Sequence, residues 1–397
     1  MRPLAITGVG LVSPLGIGFT DFRDSLNRHA VLGDRMFVRE STVLSKEKLP
    51  DPCAAEVSSF DPTPFLGSKG LRNHDRLTLF LLVAAKQALI DAGLKQDGAH
   101  KVYSPSRMGL ISATAYGSLD AINELVQVAE LEDPRFLNPN RFPNTVINSA
   151  AGYVSIWEDL RAPNVTVVDG NCGSLDAMLS AETHLSHNRA DGFLVGGGEV
   201  LSDPLYLAFR KLGILAEGTR VFQPGSPDGQ GMRVGEAAAY FCVEREADAQ
   251  KRGIDRYGCV VGYGNAFEPP ESDAVVVHAS QKSIERAITA ALVDAGLSAA
   301  TIDGVCGSLN GVPMFDRAEL AALEVLLGAD VPVIAPKSVY GETFGAGGAL
   351  GIASALAWLD GASVGPVVRG TMRAKPKTLL VLAVGFYGNV SAVIITA

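Results

Sequence analysis

Short apolar runs of strand length alternate with amphipathic runs of helix length along almost the whole chain. That alternation restricts it to an α/β architecture in which helices cover strands. Strands are expected over 4–8, 108–112, 165–168, 193–195, 238–243, 259–263, 304–307, 331–334 and 379–384. Helices are expected over 77–92, 175–187, 282–295, 317–327 and 346–359, where apolar residues recur at spacings of three and four. The 43 glycines suit a fold with many tight strand–helix turns. A chain of 397 residues exceeds one ordinary core, so two structural halves are expected.

An internal echo bears on those halves. The run from Val83 to Leu94 ends in Asp91-Ala92-Gly93-Leu94, and the run from Ala287 to Leu297 ends in Asp294-Ala295-Gly296-Leu297. Each reads as a helix closed by glycine, followed by a short linker and a strand. Either this is chance, since such helix endings are common, or one α/β unit occurs twice, over 1–250 and 251–397. The polar segment 245–255 would then join the halves. The proline- and asparagine-containing stretch 131–143 reads as a loop inserted in the first half.

Charge and cysteine usage narrow the partners. A net charge of -9 argues against nucleic acid, whose binders need basic patches, and fits an anionic membrane surface poorly. No apolar run reaches the roughly 18–20 residues of a membrane span, and the short start before the first glycine turn is not a signal peptide. The five cysteines show no CxxC pair and no metal-ligand spacing, so free thiols in a reducing cytoplasm are expected. His184 and His187, three apart on one expected helix, lack further ligands and read as a solvated face rather than a metal pair. Neither a metal nor a bound cofactor is expected.

Cys172 carries the chemistry. It follows a strand-like run and a glycine and precedes a helix-like run, in Asp169-Gly170-Asn171-Cys172-Gly173-Ser174. A thiol at a helix N-terminus is expected to gain thiolate character. Such a cysteine ordinarily works with a histidine, yet His278 is the last of the six histidines. Cys53, Cys242, Cys259 and Cys306 read as ordinary core thiols.

The motifs around it resemble those of β-ketoacyl synthases, over nearly the whole length. The opening Ala5-Ile6-Thr7-Gly8-Val9-Gly10-Leu11-Val12-Ser13-Pro14-Leu15-Gly16 is similar to that family's first strand and turn. His74-Asp75-Arg76, Val195-Gly196-Gly197-Gly198-Glu199, Gly235-Glu236-Ala237-Ala238 and Gly385-Phe386-Tyr387-Gly388-Asn389 follow in the family's order. The resemblance implies a thiolase-like fold: two related α/β halves in five layers, α-β-α-β-α, with a helix pair shared in the middle. It also implies that Cys172 holds the nucleophile position and Phe386 the gate.

Two histidines are missing from the pattern. Where the family has one in H-G-T-G-T-P-x-G-D, this chain has Ser308-Leu309-Asn310-Gly311-Val312-Pro313-Met314-Phe315-Asp316. Where it has the other in K-S-x-x-G-H-T, this chain has Lys337-Ser338-Val339-Tyr340-Gly341-Glu342-Thr343. Ser308 and Glu342 therefore stand for imidazoles that stabilise an enolate. Losing one preorganised donor costs about 3–4 kcal/mol. A carboxylate at Glu342 repels the enolate and is expected to raise the thiol pKa, unless Lys337 pairs with it. The closest resemblance is to chain-length factors, the ketosynthase-like partner subunits of type II polyketide and polyene synthases. This implies a non-condensing subunit paired with an active ketosynthase, shaping the tunnel for chains carried on an acyl carrier protein's phosphopantetheine. A Cys172-dependent acyltransferase, using the Cys172 and Phe386 backbone N–H groups as an oxyanion hole, remains the alternative.

Overall fold

The structure is a computed structural model that describes residues 1–32, 38–216 and 224–397. Its eleven principal strands are β1 (Leu4–Ser13), β2 (Met108–Ala113), β3 (Asn164–Val167), β4 (Gly192–Glu199), β5 (Ala237–Arg245), β6 (Gly258–Phe267), β7 (Gly304–Cys306), β8 (Val333–Ile334), β9 (Val367–Arg369), β10 (Thr378–Val384) and β11 (Asn389–Thr396). They run in one mixed sheet in the order β9-β8-β7-β10-β11-β6-β1-β5-β4-β2-β3, and the short strand Gly16–Ile17 folds back on β1.

That order contains the same topology twice. Taken from their own first strands, β1 to β5 are arranged third, second, fourth, fifth, first. Strands β6, β7, β8, β10 and β11 repeat that arrangement, with β9 added antiparallel at the outer edge. The two sets join where Leu4, Ala5 and Ile6 pair antiparallel with Val260, Cys259 and Gly258. The sequence echo is therefore architectural. Helix α1 (Arg76–Asp91) crosses β1 where Asp91 accepts from Val9 N–H at 2.8 Å. Helix α2 (Gln281–Ala295) crosses β6 where Asp294 accepts from Tyr263 N–H at 2.9 Å. The same glycine lets each helix approach. A Cβ on Gly10 would lie 2.0 Å from Ala84 O, and one on Gly264 would lie 2.2 Å from Ala287 O.

Helices α1 and α2 form the outer layers. Between the sheet halves lie helix α3 (Gly173–Ser186) and helix α4 (Gly347–Leu359). Twelve of the thirteen residues of α4 are buried, as a helix apolar on all sides must be. Ser174 Oγ accepts from Ala349 N–H at 2.9 Å, fixing the pair in register. The thiolase-like layering expected from the sequence is the observed one.

The structure adds detail to three regions. The polar segment 245–255 lies between β5 and β6 and contains the helix Glu246–Arg252, with acidic residues in its first turn, basic ones in its last and left-handed Gly253 as cap. The stretch 131–143 is irregular but holds 3-10 turns at Pro134–Phe136 and from Pro139 onward. Strand β11 was not anticipated, because its residues follow the gate motif without a break in apolar character.

Two of the family-like motifs meet structurally. Arg76 forks onto Glu236, Nε to Oε2 at 2.9 Å and Nη2 to Oε1 at 2.5 Å. Glu199 accepts from Thr114 Oγ1 and Ala115 N–H.

Gly10→Ala and Gly264→Ala are each expected to lose about 1–3 kcal/mol in urea unfolding, through forced backbone shifts. Gly152→Ala, in a helix with open space at its Cβ position, is expected to be neutral or to gain about 0.5–1 kcal/mol. Equal effects at all three positions would refute the close-approach account.

Candidate active site

Four chain segments converge at the C-terminal ends of strands β3, β7, β8 and β10, the end at which α/β sheets build sites. Ser308 follows β7, Lys337 follows β8, Val384 ends β10, and Asn171 and Cys172 follow β3. Every one of these side chains is at least nine-tenths buried.

Lys337 organises the centre. Its Nζ donates to Glu342 Oε2 at 2.7 Å and to Ser308 Oγ at 2.9 Å. Ser308 Oγ also accepts from Val384 N–H at 3.0 Å. The second carboxylate oxygen of Glu342, Oε1, accepts from Phe344 N–H at 3.1 Å. The pairing of Lys337 with Glu342 foreseen from the sequence is present, and it joins the two residues that stand in the histidine positions. Ser308 N–H donates to Glu319 Oε1 at 2.8 Å. Burial pushes the Glu319 carboxyl up to about 8, so it is largely protonated at neutral pH.

Cys172 reaches the same strand end, on the very peptide whose Val384 N–H bonds Ser308 Oγ. Its Sγ donates to Ala383 O at 3.3 Å, and its side chain packs in the central apolar core with Leu175, Met178 and Ala346. Burial pushes its thiol well above the ordinary range, and the Asp176 and Asp169 carboxylates push it further the same way. The expected thiolate is thus corrected: desolvation outweighs the helix terminus. The like-charge repulsion comes from Asp176 and Asp169, while Glu342 is spent on Lys337. Asp176 is held by Tyr263 Oη at 2.6 Å and Ser391 Oγ at 2.5 Å. The backbone N–H of Cys172 already donates to Asp169 O at 3.0 Å, which removes it as an oxyanion donor.

The neighbouring Asn171 is the residue that the sequence reading missed. Its Nδ2 donates to Val384 O at 3.2 Å, on the peptide next to the one whose N–H reaches Ser308. Its Oδ1 is buried without a partner. Flipping the amide would set oxygen against the Val384 carbonyl, so the donor assignment follows from the contact. Residues Gly170–Cys172 form a 3-10 turn, in which successive side chains point about 120° apart. Asn171 and Cys172 therefore leave the turn in different directions and bond adjacent carbonyls of β10, those of Val384 and Ala383. The only signal in the sequence was an amide beside the thiol.

Phe386 sits just past Val384, half-buried against the rings of Phe209, Phe315 and Phe344. His184 and His187 are not brought to this site: His184 lies against Phe193, and His187 Nδ1 is 2.8 Å from Thr183 O. Among the described residues no group of three His, Cys, Asp or Glu side chains could hold a metal ion, and no helix is long and apolar enough to cross a membrane.

Known proteins share this family and fold. The beta-ketoacyl synthase N-terminal domain matches residues 1–249, and the beta-ketoacyl synthase C-terminal domain matches residues 257–370. A 3-oxoacyl-[acyl-carrier-protein] synthase 2 from Coxiella burnetii is 30% identical over 362 residues, covering 88% of this chain and 84% of its own. A putative polyketide beta-ketoacyl synthase 2 from Streptomyces coelicolor is 30% identical over 414 residues, covering 99% and 95%. The solved structure of the ishigamide ketosynthase/chain length factor superposes with a TM-score of 0.85 at 24% identity, covering 100% of this chain and 99% of the other.

The buried carboxyls make stability fall with rising pH. Glu319 is raised to about 8 and Glu199 to about 7, both chiefly by burial, whereas an unfolded glutamate titrates near about 4.3. Between those values the folded chain keeps protons that the unfolded chain has released, so unfolding becomes easier as pH rises. The stability of wild type minus Glu319→Gln is therefore expected to fall between pH 6.5 and 8. A pH-independent difference in chemical denaturation would refute this assignment.

Proposed function

This chain belongs to the β-ketoacyl synthase family, and within it we propose a non-condensing, chain-length-factor-like role. It pairs with an active ketosynthase and shapes the tunnel for acyl chains carried on the phosphopantetheine of an acyl carrier protein. The observation that carries the reading is the buried Ser308–Lys337–Glu342 cluster. Condensation needs donors aimed at a developing enolate oxygen, and each one lost costs about 3–4 kcal/mol. Here the histidine positions hold a carboxylate and a hydroxyl, both already bonded to Lys337.

A partner surface supports the reading. Strand β3 pairs with β2 on one side and forms the end of the sheet. Next to it, Ile147 and Val168 line a depression with Asn164 and Thr166, and both are exposed. Nearby Ile122, Val126, Phe136 and Phe142 are exposed as well, which is more apolar surface than scattered single residues would give. A second subunit that continues the sheet at β3 would cover it. The relatives named as second polyketide β-ketoacyl synthases, and the shared fold of the ishigamide ketosynthase/chain length factor, agree with a paired subunit.

The alternative, acyl transfer by Cys172, needs a thiolate and an oxyanion hole. A thiol raised by burial and a Cys172 N–H committed to Asp169 give neither.

The test is intact-mass analysis of the purified chain, alone and co-expressed with a ketosynthase that carries the full Cys-His-His set, after incubation with an acyl-carrier thioester. No adduct on the lone chain is expected, and the complex with Cys172→Ala should form product at the wild-type rate. An acyl adduct on Cys172 that turns over in the lone chain would sink the non-condensing reading.

A further inference from the structure

The strongest unexplained feature outside the polar cluster is the backbone of Phe344. Its φ is +45°, in the left-handed region that non-glycine residues rarely enter, and its side chain is fully buried. Strain of this kind persists only where the surroundings over-determine it, and it concentrates at sites. Two hydrogen bonds define the turn here. Phe344 N–H donates to Glu342 Oε1 at 3.1 Å, and Ala346 N–H donates to Thr343 O at 2.9 Å. The carboxylate that replaces an imidazole thus does two things: Oε2 holds Lys337, and Oε1 holds the strained turn.

The strain aims the Phe344 ring. It stacks on Phe209 at 5.0 Å and 14°, meets Tyr116 edge-on at 5.5 Å, and lies 6.1 Å from Phe386. Phe386 also contacts Phe209 at 5.4 Å and Phe315 at 5.3 Å. Its ring is therefore gripped by three others drawn from separate parts of the chain. The backbone on the far side of the loop is tied as well. His278 N–H donates to Phe386 O at 2.7 Å, Glu268 N–H donates to Gly388 O at 3.1 Å, and Asn389 Nδ2 donates to Asp169 Oδ1 at 3.0 Å. The loop 385–389 begins just after Val384, whose N–H bonds Ser308 and whose carbonyl bonds Asn171, so holding it in place closes the polar cluster from outside.

We propose that Glu342 and Phe344 form a latch that holds the 385–389 loop shut over this subunit's own site, with Phe344 as the access-determining residue. A chain that lost its condensing groups thereby also excludes the acyl-bearing arm from its interior. That last consequence rests on the function proposed above; the latch itself does not.

The experiment is hydrogen–deuterium exchange on the full chain. Peptides over 384–389 and 267–278 are compared with a reference peptide in strand β5. Phe344→Gly keeps the left-handed backbone at ease and removes only the ring. Phe209→Ala removes the opposing platform without touching the strained turn. Both variants are expected to exchange at least about tenfold faster in the loop peptides, with the β5 reference unchanged, because local opening is governed by local contacts. If Phe344→Gly does not fold, Phe344→Leu and Phe209→Ala carry the comparison. Native-like exchange over 384–389 in the folded variants would overturn the latch. Acyl loading of wild type from the carrier thioester, with the loop still protected, would instead overturn the proposed function and leave the latch standing.

Discussion

The buried Lys337–Glu342 ion pair is the interaction on which the site depends. It lies below the surface, where an unpaired charge is costly and breaking such a pair typically loses about 3–5 kcal/mol. Lys337 must therefore keep Glu342, and Glu342 must keep its donors, Lys337 Nζ, Phe344 N–H and Asn310 Nδ2. Through Ser308 Oγ and the Val384 N–H the pair reaches the end of β10, and through Phe344 N–H it reaches the turn before α4. One salt bridge thus sets the positions of the residues that would otherwise do catalysis and of those that close the site.

Under the proposed function, this is the form that a retired active site takes. The imidazoles are not replaced by inert apolar packing. They are replaced by a polar cluster that satisfies itself, which a low-dielectric interior demands once Lys337 is retained. The cluster leaves little to offer a substrate: Glu319 is largely protonated, Glu342 is paired, and Ser308 already accepts two hydrogen bonds. Asn171 Oδ1 and, beside Glu342, Thr343 Oγ1 are buried polar atoms still open.

Much of the fold was legible residue by residue. The helix ending Asp91-Ala92-Gly93-Leu94 and its echo at Asp294 proved to be one structural unit used twice, with each aspartate bonding the strand beneath it. Ser308, Lys337 and Glu342 were found by spacing, because a run of residues keeps its register along a strand end. The protonation of Cys172 was not legible, because a local pattern does not show the desolvation that raises the thiol. Nor was it legible that Asn171 and Cys172 would bond adjacent carbonyls at the end of β10. The helix Glu246–Arg252 carries its own end signals but is only seven residues long, too short for an apolar periodicity to reveal it.

By itself the sequence determined the alternating architecture and the absence of any histidine after His278, since each is written in periodicity or in a residue's identity. The tertiary structure decided that the echoed helices belong to one repeated unit, that the cysteine is a buried thiol, and that Glu342 serves both Lys337 and Phe344. Those outcomes depend on distances between segments far apart in the chain, and on desolvation, which a local pattern does not encode.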